Sequence, residues 1–442
     1  MFMFTSLLWR PRWPIAPIPA YLLLRGSSAG LFSLMFTLNL VYQATVVGLS
    51  PLQLVLVGTL LEAVSFLFEV PTGIVADLYS RRLSVIIGCA LIGAGFTLEG
   101  SIPTFEAVLA CQVLWGIGYT FTSGASEAWI TDEVGETHMA PVFLRGTQAA
   151  LAATIAGIVL SGAIGLVSVR LPVVLGGIGF MILAGVLLLV MPERNFHRTA
   201  VGERSTFSHM AVTFRDGLAL ARRRAVVRSL LLITFVIGLA SEAFDRLWTV
   251  HILDSHRFPA LAGSDSPAVW FAIIALAGTV ISLVVSELVK RISPQVIDQL
   301  HPNRLLAFLS GLQVLGLMFF VLAGSLWMAM GSLWLKSAAR TISGPVEAAW
   351  INRHLESRLR ATVLSMQGQG NAIGQVIGGP VLGGIGSGLG VRAALIASAL
   401  VFSPVVWLYG RISEETETTA DHPNARSATG SASGSASGSA VQ

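Results

Sequence analysis

The 442-residue chain contains twelve apolar stretches, each near the ~20 residues that a helix needs to cross the hydrocarbon core of a bilayer. They fall at 27–47, 52–78, 83–101, 106–131, 146–166, 172–191, 229–252, 268–289, 305–323, 325–351, 361–385 and 392–410. Lipid offers no partner for a backbone N–H or C=O, so segments of this kind are predicted to be α-helices throughout. Several are longer than a straight crossing requires, which predicts tilt or extension past the membrane. Only 12% of the residues are charged, where a soluble domain carries about 25%. The class predicted is an all-α, multi-pass membrane protein. The net charge of +4 is no sign of nucleic acid, because the basic residues sit in short connections where lipid headgroups are the better partner.

Orientation follows from the same basic residues. With the amino terminus inside, 22 Arg and Lys residues are cytoplasmic and only Arg170, Arg257 and Arg392 lie outside. Both termini are therefore expected in the cytoplasm. Residues 1–20 are apolar but broken by Pro11, Pro14, Pro17 and Pro19. They are read as a cytoplasmic lead-in along the interface, not as a span or a cleaved signal. Between the sixth and seventh stretches, segment 192–228 places Phe207, Met210, Phe214 and Leu218 opposite Arg215 and Arg222 to Arg224. That spacing predicts an amphipathic linker helix on the inner membrane surface. The tail 412–442 turns acidic and then into Gly-Ser-Ala repeats, and is expected to be disordered. The remaining divisions are a first half, 21–191, and a second half, 229–411.

One connection is distinctive. After the second stretch the chain reads Gly73-Ile-Val-Ala-Asp77-Leu-Tyr-Ser-Arg81-Arg82. This resembles the loop signature of the major facilitator superfamily of secondary transporters, Gly-x-x-x-Asp-(Arg/Lys)-x-Gly-(Arg/Lys)-(Arg/Lys), with Leu78 and Ser80 departing from it. The resemblance implies a fold of twelve helices in two six-helix halves, and a substrate held near the midplane between them. It also implies that Gly73, Asp77, Arg81, Arg82 and Asp132, the acid at the inner end of span four, form a gate that shuts the cytoplasmic side. A duplication is visible as well. Ser123-Gly124-Ala-Ser-Glu127-Ala-Trp129 recurs 220 residues later as Ser343-Gly344-Pro-Val-Glu347-Ala-Ala-Trp350, in spans four and ten.

Ionisable side chains in hydrocarbon are costly, so each is a candidate for function against the alternative of a structural ion pair. Glu62 and Glu69 are seven residues apart on one face of span two, and Glu62 lies ~15 Å deep at 1.5 Å per residue. A carboxylate withdrawn from water can carry a proton, and Glu62 is read as the proton carrier of the first half or as a structural hydrogen-bonding group. Glu127 joins the candidates through the repeat. Span seven carries Glu242, Asp245 and Arg246, with Glu242 ~20 Å in from Ser229. Span ten carries Lys336, Arg340 and Glu347. Together they could bind an anionic or zwitterionic substrate, couple to protons, or form a closed network. Gln43, Gln367, Gln369, Asn371 and Gln375 are polar positions with interhelical packing as their commoner use. Cys89 and Cys111 are read as packing residues.

The eight histidines are scattered and no nucleophile, metal or phosphate-cradle motif is present. No enzyme, catalytic residue, metal or cofactor is expected, with the proton motive force as the energy source. The Glu69-Val-Pro-Thr-Gly-Ile-Val-Ala-Asp77 form of the signature looks like bacterial tetracycline- and macrolide-type efflux relatives. The second signature of such exporters, Gly-x-x-x-Gly-Pro-x-x-Gly-Gly, is poorly matched in span five and better by Gly379-Pro380-Val-Leu-Gly383-Gly384 in span eleven. The expectation is a monomeric small-molecule:proton antiporter of a bacterial inner membrane. Proton-coupled uptake of a metabolite is the alternative, ahead of a transport-dead sensor or scaffold.

Overall fold

The computed structural model describes residues 12–196, 215, 218–222, 224–261, 265–291, 301–354 and 357–412. The first eleven residues, the linker positions Phe207, Met210 and Phe214, and the tail beyond 412 lie outside the described residues. Proline decides where the first helix starts. The sequence reading keeps residues up to 20 out of the membrane helix, but α1 (Pro17–Phe36) begins at Pro17. Pro17 and Pro19 stand in the first turn, where the N–H groups have no intrahelical partner and a missing donor costs nothing. After a turn at Thr37–Leu38 the same span continues as Asn39–Tyr42 and then as a π-turn, Gln43–Val47.

The remaining helices follow the hydropathy closely. They are α2 (Pro51–Leu78), α3 (Arg81–Ser101), α4 (Phe105–Thr122, resumed as Ala125–Val134), α5 (Met139–Gly165), α6 (Leu171–Val190), α7 (Ala225–Ser255), α8 (Pro267–Arg291), α9 (Pro302–Val321), α10 (Leu326–His354), α11 (Ser357–Leu389) and α12 (Val391–Phe402, resumed as Pro404–Arg411). Among the described residues ten of these twelve are long and apolar enough to cross a membrane. The exceptions are α4, which Gly124 interrupts at a positive φ of 72°, and α10, which carries Lys336, Arg340 and Glu347. The two copies of the repeat therefore differ in backbone, since Gly344 stays inside its helix.

Packing repeats with a shift of six helices. In residues 17–190, α1 lies on α5 and α6, while α3 lies on α4 and α6 and α2 on α4. In residues 225–411, α7 lies on α11 and α12, while α9 lies on α10 and α12 and α8 on α10. The two sets meet through α2 with α11, its counterpart α5 with α8, and α2 with α7. Small residues permit these crossings. A Cβ at Gly374 or Gly378 of α11 would collide with the α7 backbone at Phe235 and Leu239, and one at Gly157 of α5 with the carbonyl of Gly30.

Three apolar cores result. One joins both sets, with Leu38, Val41 and Leu54 packed among Leu247, Phe271 and Leu382. The second draws only on residues 20–191 and the third only on residues 221–412. The shared core lies toward the end of the molecule that holds Pro51, and the third core toward the end that holds Arg81.

Candidate functional site

Contacts between the two sets of helices cluster at the Pro51 end. Leu52 donates its backbone N–H to Ser387 Oγ at 3.0 Å. Gly383 closes on Val55 and Leu52, Gly379 on Thr59, and Gly162 and Gly165 of α5 on Ala272 and Ala268 of α8. Past Glu62 the face of α2 changes. Leu67, Phe68 and Glu69 are exposed, and Gly73 has open space around its Cα.

At the Arg81 end the signature residues form two constellations. Arg81 Nη1 is paired with Asp132 and also donates to the carbonyl of Ala128 at 3.1 Å, while its Nη2 lies 4.0 Å from Asp77. The structure thus brings Asp77, Arg81 and Asp132 together, all within residues 17–190. Arg82 does not join them. Its backbone N–H donates to Glu193 Oε1 at 3.0 Å and its guanidinium to the Leu188 carbonyl at 2.6 Å, and Ser80 Oγ donates to Glu193 Oε2 at 2.5 Å. Ser80, the departure from the signature glycine, also accepts from Leu83 N as the N-cap of α3. Glu193 escapes sequence reasoning because its partners lie more than a hundred residues away.

The acids and bases of spans two, seven and ten divide into separate groups. Glu242 is buried and its Oε1 accepts from Arg246 Nε at 2.9 Å, one helical turn on. This pair faces α2, where a Cβ on Gly58 would strike both side chains, and Glu62 is within electrostatic reach of it. Asp245 is exposed and turns instead into a cavity of about 300 Å³ with Gln313, Lys336, Arg340 and Asn371. The charges of spans seven and ten therefore do not form one cluster, because residues 242 and 246 stack along the helix while 245 is rotated away from them. A second cavity of about 610 Å³ crosses between the sets, from Phe36, Thr37 and Leu151 to Trp248, Lys336 and Arg340. Lys336 Nζ stands 3.7 Å from the centre of the Phe244 ring, a cation–π contact of about 0.5–2 kcal/mol.

Glu347 is half-buried and holds Gln367 Nε2 at 3.2 Å and the Tyr409 hydroxyl. Its repeat partner Glu127 is exposed, in a cavity of about 300 Å³ that also holds Arg25 and Tyr119. The repeat's tryptophans are both buried, and Trp129 Nε1 donates to the Pro192 carbonyl at 2.7 Å. The duplicated motif is thus structural at its tryptophans, while Ser123, Gly124, Ser126 and Glu127 of the first copy line a cavity. Glu69 is exposed and joins none of these groups.

A further acid, Glu99, is absent from the sequence candidates. It is fully buried on α3, and Gln43 Nε2 donates to its Oε1 at 2.8 Å. Cys111, read as a packing residue, is within hydrogen-bonding reach of it. Its position two residues from the end of span three hid it, since hydropathy alone reads such an acid as part of the outer connection. Among the described residues no group of His, Cys, Asp and Glu is arranged to hold a metal ion.

A family model described as Major Facilitator Superfamily matches residues 21–334. The chain is 21% identical over 388 residues to an uncharacterized MFS-type transporter, YxaM, of Bacillus subtilis (strain 168), covering 87% of this chain and 92% of the relative. Among solved structures it is similar in fold to the nucleoside transporter NupG (TM-score 0.72, 12% identity, 90% of this chain and 98% of that one). It is also similar to a peptide transporter POT in complex with sulfate (TM-score 0.67, 12% identity, 91% and 96%).

Proposed function

The chain belongs to the Major Facilitator Superfamily of membrane transporters, and we propose that it exports a small molecule in exchange for protons by alternating access. The observation that carries this reading is the cavity that crosses between the two sets of helices and holds Lys336 and Arg340. A carrier needs such a chamber near the midplane, open to one side at a time. The positive-inside bias supports a cytoplasmic placement of the Arg81 end, in what we read as a bacterial inner membrane. On that assignment the interhelical contacts at the Pro51 end make this an inward-facing state, and Asp77, Arg81 and Asp132 await the return of α11 to shut the inner side. Glu62 and the Glu242–Arg246 pair, between α2 and α7, are the proposed proton-coupling groups. Their helices must part when the Pro51 end opens.

Inverted membrane vesicles energised to an acidic interior test this with a pH-sensitive dye. Dequenching on addition of a compound, lost in Glu62→Gln and Glu242→Gln variants that still insert and fold, is the expected result. Wild-type dequenching in both variants removes those acids from the mechanism. A second reading, proton-coupled uptake of a small polar metabolite, draws on the mixed charge of Asp245, Lys336 and Arg340, which suits a zwitterion. Silence in the dequenching assay with accumulation in right-side-out vesicles would favour it.

A further inference from the structure

Glu99 has no task in the scheme above. Only one donor, Gln43 Nε2, meets its carboxyl within normal hydrogen-bond geometry, and the Tyr42 hydroxyl meets its backbone carbonyl at 2.7 Å. Its Oε2 has no partner, and neither has Asn39 Oδ1 or Gln43 Oε1, all three atoms being buried. The Asn39 amide is within hydrogen-bonding reach of the carboxyl. Three buried acceptors without a partner call for a donor. The cation acting on Glu99 is Arg246, and its Nε is committed to Glu242. A bare carboxylate would give up its hydration for the Gln43 amide, with only the Asn39 amide and the weak Cys111 thiol donor within reach besides. A carboxylic acid fits better. Its Oε2–H can donate to the Asn39 oxygen, since the two ends of an amide exchange by a flip, and two of the three orphans are then paired.

The backbone beside Glu99 is a second, independent observation. Asn39, Tyr42 and Gln43 stand on the piece of α1 bounded by the Leu38 turn (φ −123°, ψ −1°) and the π-turn Gln43–Val47. Single π-turns concentrate at functional sites, and transporters place coupling ions where membrane helices are interrupted. The same piece carries Leu38 and Val41 into the core that joins the two sets of helices at the Pro51 end. Whatever occupies Glu99 is thereby linked, through Gln43 and Tyr42, to closure of that end.

We propose that Glu99 binds a proton that keeps the Pro51 end shut, at a site separate from the Glu62, Glu242 and Arg246 group; the inference rests on the proton-coupled reading above. When the end opens, the proton passes to bulk water and the carboxylate is hydrated. The groups facing Glu99 are Tyr42 from α1, Cys111 from α4 and Arg246 from α7. Arg170 stands behind Tyr42 and caps the Gly100 and Ser101 carbonyls of α3. From α6 the contacts on α3 are made by Val174, Gly177 and Met181, none of them titratable, and Glu62 of α2 acts on the α7 charges instead.

The test needs no transported substrate. Cysteines at Val167 and Leu389, which are 80% and 79% exposed at the Pro51 end, take spin labels, while Cys89 and Cys111 are buried. In nanodiscs the label separation is expected to lengthen as the pH is raised, and to stay short at every pH in Glu99→Gln. Infrared difference spectra, wild type minus Glu99→Gln, are expected to show the carbonyl stretch of a protonated carboxyl that fades over the same pH range. The same pH response in the variant, or a difference spectrum without that band, overturns the proposal. Should Glu99→Gln fail to fold, Glu99→Asp is expected to displace the midpoint of the distance change, and an unmoved midpoint overturns it equally. A protein that shows the band but no dequenching in inverted vesicles defeats the export reading and leaves the site standing.

Discussion

Removing the Arg246 side chain gives the sharpest test of the packing between α2 and α7. Glu242 is 4% exposed and Arg246 16%, and a single N–H···O bond of 2.9 Å joins them. Charges ~4 Å apart at an effective dielectric of ~20 attract by about 4 kcal/mol. Deleting one partner of such a buried pair destabilises by about 3–5 kcal/mol, because the other charge is left unpaired. Arg246→Ala is therefore expected to lower the unfolding free energy by about 3–5 kcal/mol. The double variant Glu242→Gln/Arg246→Ala, which leaves no charge behind, is expected to recover more than half of that loss. A coupling energy of about 2–4 kcal/mol follows for the cycle. Equilibrium unfolding in mixed micelles, followed by tryptophan fluorescence, measures the wild type, Arg246→Ala, Glu242→Gln and the double variant. A loss below about 1 kcal/mol in Arg246→Ala, or a double variant no more stable than the single one, would refute the pairing.

Three further outcomes are expected. Glu193→Ala removes the acceptor of both Ser80 Oγ and Arg82 N and is expected to cost about 3–6 kcal/mol, from two hydrogen bonds to a charged group, in the same unfolding assay. Gly58→Ala places a methyl against Glu242 and Arg246, so the labelled Val167–Leu389 separation is expected to grow at fixed pH, and an unchanged distance would contradict the α2–α7 contact. His256 follows the last residue of α7, and burial pushes its imidazole below the ordinary histidine value. The unfolded chain then takes up this proton first on acidification, so stability is expected to fall as the pH drops through about 6.5. His256→Gln should flatten that part of the unfolding profile.

Much of the architecture was legible because lipid solvation is a local demand. A window of ~20 residues either satisfies it or does not, and the boundaries of α2, α3, α6 and α9 follow the apolar stretches within a few residues. The start of α1 did not, since four prolines read as a break where two of them only occupy a first turn. The signature pointed correctly to the meeting of Asp77, Arg81 and Asp132, but it gave no sign that Arg82 turns away to Glu193. The candidate acids of span seven were recognisable as candidates and not as partners. Helical periodicity allows Glu242 and Asp245 on one broad face, and the packing of α7 against Gly58 of α2 separates them.

The sequence by itself determined the class of protein, the number and direction of its spans as expectations, the signature connection after the second span and the duplicated Glu–Trp motif. Each of these depends on composition or spacing within one segment. Only the tertiary structure decided which charges meet, that Glu99 is sealed among α1, α3 and α4, and that one apolar core joins the two sets of helices at the Pro51 end. Ion pairs and hydrogen bonds act over a few ångströms between residues far apart in the chain. Their partners are fixed by how helices approach through small residues such as Gly58, Gly374 and Gly378, a property of pairs of helices that no single stretch contains.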